Sequence, residues 1–182
     1  MLQIKKILML VALFATIFST CHADQVKISN INTEQFFQSM KNVLYSDDVQ
    51  KKFPIEISDL VRGENDLTEY DLKVWSSFFN KKGAEKPDGE VTFYVDKDNF
   101  VHTVKITIME GENSDTEYSN VFSAICKTIG FTEAEELKLF SGGKSEENAF
   151  YHSEVERDGK VFFVVKVIDS GVSRTIFAAG EE

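Results

Sequence analysis

GEVTFYVDKDNFVHTVKITIME, residues Gly89 to Glu110, alternates apolar and polar side chains in two runs joined by a polar turn. In the first run Val91, Phe93 and Val95 alternate with Thr92 and Tyr94. In the second, Phe100, His102, Val104, Ile106 and Ile108 fall on one face and Thr103, Lys105 and Thr107 on the other. A period of two in β-branched and aromatic residues is the pattern of a half-buried strand. Asp96-Lys97-Asp98-Asn99 supplies side chains that hydrogen-bond their own backbone, so the stretch predicts a β-hairpin. A hairpin with one apolar face needs a cover, and the rest of the chain is expected to supply it.

A second hairpin is expected in the C-terminal third. Phe150 to Glu156 runs into Asp158-Gly159, a strong short-range turn signal, and then into Lys160–Ile168 (KVFFVVKVI). That last run is apolar on both faces apart from Lys166, as in a central strand covered on both sides. Asp169-Ser170-Gly171 turns again, ahead of a final strand over Ser173–Ala178.

Helices supply the cover. Asn32 with Gln35 three residues on is a capping-box pattern, followed by a stripe of Phe36, Phe37, Met40, Val43 and Leu44. Ser114 with Glu117 precedes Tyr118, Val121, Phe122, Ile125 and Ile129, a helical stripe ending at Gly130. Thr132 with Glu135 starts a short helix containing Leu137, Leu139 and Phe140. Thr68 with Asp71 predicts one more, reaching roughly Asn80, where Lys81, Lys82 and Gly83 close it. Leu72, Trp75 and Phe79 form its stripe, which Val74 and Phe78 widen. The simpler reading wedges that helix between two layers. The sharper one leaves Trp75 and Phe78, with Val74, partly exposed as an anchor for a partner.

Shorter segments complete the reading. Val26–Ile31 alternates as an edge strand would, Phe53, Ile55 and Ile57 suit a short strand, and Leu60-Val61 a helical turn before Gly63. Residues 83–89 (GAEKPDG) read as a surface loop. The expected fold class is α+β: an antiparallel sheet of about five strands built from two hairpins, with helices on at least one face. The expected division is a single domain over 24–182, with a mainly helical part over 24–82, the loop at 83–89, and a hairpin–helix–hairpin part over 90–182.

Residues 1–23 are expected to be a signal peptide. Lys5 and Lys6 precede an apolar run from Ile7 to Phe18, too short for the about 20 residues that span a bilayer. Cys21-His22-Ala23 suits cleavage before Asp24, and a lipid on Cys21 is the minor alternative. Cleavage removes two lysines and no acid, taking the formal charge from −10 to −12, and leaves Cys126 as the remaining cysteine. An exported chain with one thiol depends on packing rather than disulfides, and the expected address is the bacterial periplasm or the medium. Such acidity disfavours nucleic acid and suits a basic protein partner.

The inventory of chemical groups is short. His102 reads as a core residue, and His152-x-Glu154 lacks further metal ligands. Cys126, in mid-helix among apolar residues, reads as an inert thiol. Ser141-Gly142-Gly143-Lys144 has neither the spacing nor the flanking elements of a phosphate loop, and Asp96-x-Asp98 lacks calcium-loop positions. No catalytic residue, metal site or cofactor is expected. The preferred function is an exported, non-enzymatic binding or interaction domain, such as an inhibitor, immunity or accessory protein. A carrier of an apolar ligand or lipid between sheet and helices, and a hydrolase using unassigned carboxylates, are the alternatives.

Overall fold

Turn chemistry and strand alternation outweigh helical spacing in this chain. The computed structural model describes residues 26–52, 54–63, 68–76, 86–109, 114–141, 143–144 and 150–181. These contain α1 (Thr33–Leu44), α2 (Asp47–Lys52), β1 (Ile55–Ile57), β2 (Val61–Arg62), β3 (Glu69–Ser76), β4 (Gly89–Val95) and β5 (Val101–Met109). After them come α3 (Ser114–Ile129), α4 (Glu133–Phe140), β6 (Gly143–Lys144), β7 (Phe150–Arg157), β8 (Lys160–Asp169) and β9 (Val172–Glu181). The fold is α+β, as expected, but the antiparallel sheet is larger than five strands. Its order is β1-β3-β4-β5-β9-β8-β7-β6, with β2 also on β3.

That order contains an internal repeat. A helix followed by a three-strand meander occurs as α1 with β3–β4–β5 and again as α3 with β7–β8–β9. The last strands of the two units pair at the centre, with Lys105 opposite Ile176 and Ile106 opposite Thr175. Three sheet turns explain the registers. Asp96 Oδ1 accepts from the backbone N–H of Asp98 and Phe100, and Asn99 adopts φ 65°. Asp158-Gly159 and Ser170-Gly171 all have positive φ, which matches the right-handed twist of tight hairpins.

The helices lie on one face. Phe36 of α1 meets Phe93 edge-on at 5.4 Å, Phe122 of α3 meets Phe177 at 6.2 Å, and Phe131 meets Phe162 at 4.9 Å. Phe36, Met40, Leu44, Phe93, Phe122 and Phe177 are sealed from solvent. The aromatic residues thus fill the layer between helices and sheet, each ring pair adding about 0.5–1.5 kcal/mol beyond its buried area. The Asn32–Gln35 capping box forms as expected. Helix α3 ends in a Schellman motif, in which Gly130 at φ 90° and Phe131 donate back to Lys127 and Cys126.

Six expectations are corrected. The helix predicted from Thr68 is strand β3 over Glu69–Ser76, because Tyr70, Leu72 and Val74 alternate with Glu69, Asp71 and Lys73 and pairing to β4 uses that alternation; residues 77–80, its expected end, lie outside the described residues. Among the described residues of 24–82, helix is confined to Thr33–Leu44 and Asp47–Lys52. Val26–Ile31 makes no strand; it is tied by Ile28 N–H to Val101 O and by a bridge from Asn32 to Phe100. Val61 and Arg62 form β2 rather than a helical turn, and Gly89 opens β4 rather than closing a loop. A Cβ on Gly89 would sit 2.9 Å from Thr107 O, so this strand start depends on close backbone approach.

The remaining two corrections concern sheet faces. Tyr94 pairs with Thr103 but Val95 pairs with Val101, so His102 is the extra residue of a β-bulge. The bulge switches parity: Val101 and Val104 are buried, while Phe100 and His102 are half-buried. Strand β8 is central, yet only its Phe162/Val164 face is buried, while Val161, Phe163, Val165 and Val167 on the other face are half-exposed. Trp75, Ile176 and Ala178 also lie on that outer face by register. They are buried without belonging to the main core cluster.

Candidate functional site

Helix α4 and strand β7 run side by side and are fastened at two points. At one, the Ser153 hydroxyl donates to the Leu139 carbonyl. At the other, the Arg157 guanidinium donates to Gly130 O and lies 3.6 Å from the Glu135 carboxylate. It also sits 5.4 Å from the centre of the Phe131 ring. Between the two fastenings a groove of about 390 Å³ opens, lined by Ala134, Glu135, Lys138, Glu154, Val155 and Glu156.

Local sequence explains each wall. Thr132 caps α4: its backbone N–H and its hydroxyl each reach Glu135 Oε2 at 2.7 Å, and Glu135 N–H returns to Thr132 Oγ1. Those donors, and then Arg157, hold the Glu135 carboxyl below its usual range, so it stays anionic at neutral pH. Leu139 is the one residue of α4 buried in the core, while Leu137 and Phe140, the other apolar residues of this helix, are exposed at 64% and 45%. Phe140 still stacks on Tyr118 at 5.6 Å, and burial pushes the Tyr118 phenol up to about 12.

The second wall is a sheet edge. The two-residue turn at Asp158-Gly159 makes Arg157–Lys160 the closing pair, so Arg157, Val155 and Ser153 bond to β8 through their backbone. Glu154 and Glu156 then direct N–H and C=O away from β8. Strand β6 continues that edge only opposite Tyr151 and His152. Among the described residues no strand pairs with Glu154 or Glu156 on this side. Their carboxylates stand on the outer sheet face and are exposed, beside Phe163 and Val161.

The residues singled out from sequence fall elsewhere. Val74 and Trp75 are 0% and 5% exposed, so neither presents an open anchor, and Phe78 lies outside the described residues. Trp75 Nε1 and Thr92 Oγ1, both on the outer face by register, are buried without a hydrogen-bond partner among the described residues. His102 sits in the bulge with Nδ1 3.0 Å from Thr103 Oγ1, and burial lowers its pKa. Cys126 is buried in α3, and burial drives its thiol pKa well up, away from thiolate chemistry. His152 and Glu154 share a face, but no group of three metal-ligating side chains occurs among the described residues. Of Ser141–Lys144, Gly143 and Lys144 belong to β6. No helix among the described residues is long and apolar enough to cross a membrane.

Sequence reasoning missed the groove because its parts look ordinary one at a time. Glu135 reads as a capping residue and Glu154/Glu156 as the solvated side of a strand. The usable signal was that Ser-x-Val-x-Arg alternates with Glu154 and Glu156 in a strand whose outer neighbour is short. Compared with known protein families, with curated proteins and with solved structures, the chain matches none.

Proposed function

We propose that this protein is an exported, non-enzymatic interaction module whose partner is a basic protein. The observation that carries the reading is the acidic, open edge at α4–β7, where Glu135, Glu154 and Glu156 stand against Lys138 and an Arg157 already engaged with Glu135. A mature charge of −12 adds a long-range field that speeds encounter with a cationic partner and disfavours nucleic acid. Residues 1–23 carry the export signal in this reading, with cleavage before Asp24. The buried, protonated Cys126 and the desolvated His102 support a binding role over a catalytic one.

The test is affinity capture from the export compartment with mature protein starting at Asp24, washed with a salt gradient. A basic protein should be retained at low salt and released at moderate salt, because exposed charge pairs are screened within about 10 Å at 0.1 M. Retention of acidic or neutral proteins alone, with no dependence on salt, would remove the electrostatic reading.

A further inference from the structure

We infer that the β7 edge at Glu154–Glu156 is a strand-addition site that takes an extended segment of a basic protein with the pattern Lys/Arg–apolar–Lys/Arg. This rests on the interaction-module reading and adds where and how the partner docks. Three observations converge. The backbone N–H and C=O groups of Glu154 and Glu156 point away from β8 and have no strand beyond them among the described residues. The groove against α4 opens beside these same residues, between the Ser153 and Arg157 fastenings. The opposite end of the sheet, built from the same helix–meander unit, is sealed: β1, Ser58, β2 and Gly63 take up the outward groups of β3 from Glu69 to Ser76.

Register gives the occupant its chemistry. An antiparallel guest strand would place two residues directly across from Glu154 and Glu156, on the outer face with the two carboxylates. Opposite charges in such cross-strand pairs are favourable, and like charges are not. Lys or Arg at those positions satisfies the pairing. An acidic guest, including a second copy of this edge, is rejected. The residue between them, across from Val155, turns to the helix side and enters the groove beside Ala134, which favours a small or medium apolar side chain. Glu135 and Lys138 form the rim.

The probe is a short acetylated peptide with a Lys-Val-Lys centre, against a Glu-Val-Glu control, titrated into mature protein. In wild type, NMR amide exchange at Glu154 and Glu156 should slow on saturation with the Lys peptide and stay unchanged with the Glu peptide. Two variants separate strand addition from charge alone. Glu154→Gln and Glu154→Pro both remove the carboxylate, but only proline removes the outward N–H, and proline is tolerated on an edge strand whose N–H faces solvent. Binding should fall about tenfold further in Glu154→Pro than in Glu154→Gln. Equal affinities in the two variants would overturn strand addition while leaving the basic-partner reading intact. Unchanged exchange at both amides of saturated wild type would overturn it without any variant. Capture of a basic protein that the Lys peptide does not displace would also move the contact off this edge.

Discussion

Strands β3 and β7 hold corresponding places at the outer ends of two helix–meander units, yet they are finished differently. Every outward backbone position of β3 from Glu69 to Ser76 lies along a neighbour: β1 opposite Val74–Ser76, Ser58 at Lys73, β2 opposite Tyr70–Asp71, and Gly63 at Glu69. Strand β7 has β6 opposite Tyr151–His152, and then a helix held off by a groove. An unsealed edge invites association, so natural edges are covered, shortened or charged. Here one edge is covered and the other is charged. In the proposed docking, that charge disfavours a second copy of the edge and suits a cationic guest, and the asymmetry between the two edges is the basis of the proposal.

The largest expected effect tests whether the two units are a single folding body. Phe177 sits on the central strand β9 and meets Phe122, Phe131 and Phe162. Phe177→Ala should cost about 3–5 kcal/mol in urea denaturation and keep a single transition. Two separated transitions would mean that the units fold independently and that comparing their edges compares two domains.

A smaller effect sharpens the comparison of edges. Ser58 Oγ accepts from the Lys73 N–H at 2.9 Å, part of the seal on β3. Ser58→Ala should cost about 0.5–1.5 kcal/mol and speed exchange of the Lys73 amide towards that of Glu154 and Glu156. If Lys73 already exchanges as fast as those two in wild type, the contrast between the edges disappears.

The smallest effect is a pH slope from the bulge. Burial lowers the His102 pKa below its ordinary 6.5, against a weaker raising influence of Asp96. The folded state then keeps the imidazole neutral where the unfolded chain takes up a proton. Stability is therefore complete above 6.5 and declines as pH falls from there towards the lower folded value. His102→Gln should flatten the Tm profile across that window. An unaltered slope would assign it to other groups.

Much of the fold was legible in the order of residues. The Gly89–Met109 hairpin, the Asp158-Gly159 turn, the Asn32 and Thr132 caps and the Tyr118–Ile129 stripe all form where their local chemistry directs. Local signals fail where two periods fit the same residues. Leu72, Trp75 and Phe79 satisfy a helical stripe, whereas Tyr70, Leu72 and Val74 satisfy a strand, and only the available backbone partner on β4 decides between them. The bulge at His102 is likewise an outcome of register, and the exposure of Leu137 and Phe140 of which side of α4 meets the core, where Leu139 is buried.

By itself the sequence determined the turns, the caps, the α+β class and the acidity, because each arises from neighbours within a few residues or from a simple sum of charges. Long-range pairing set β5 against β9 at the centre, covered β3, and left β7 past His152 with no paired strand among the described residues. Whether an edge has a neighbour depends on strands far apart in the chain, and no local pattern records it.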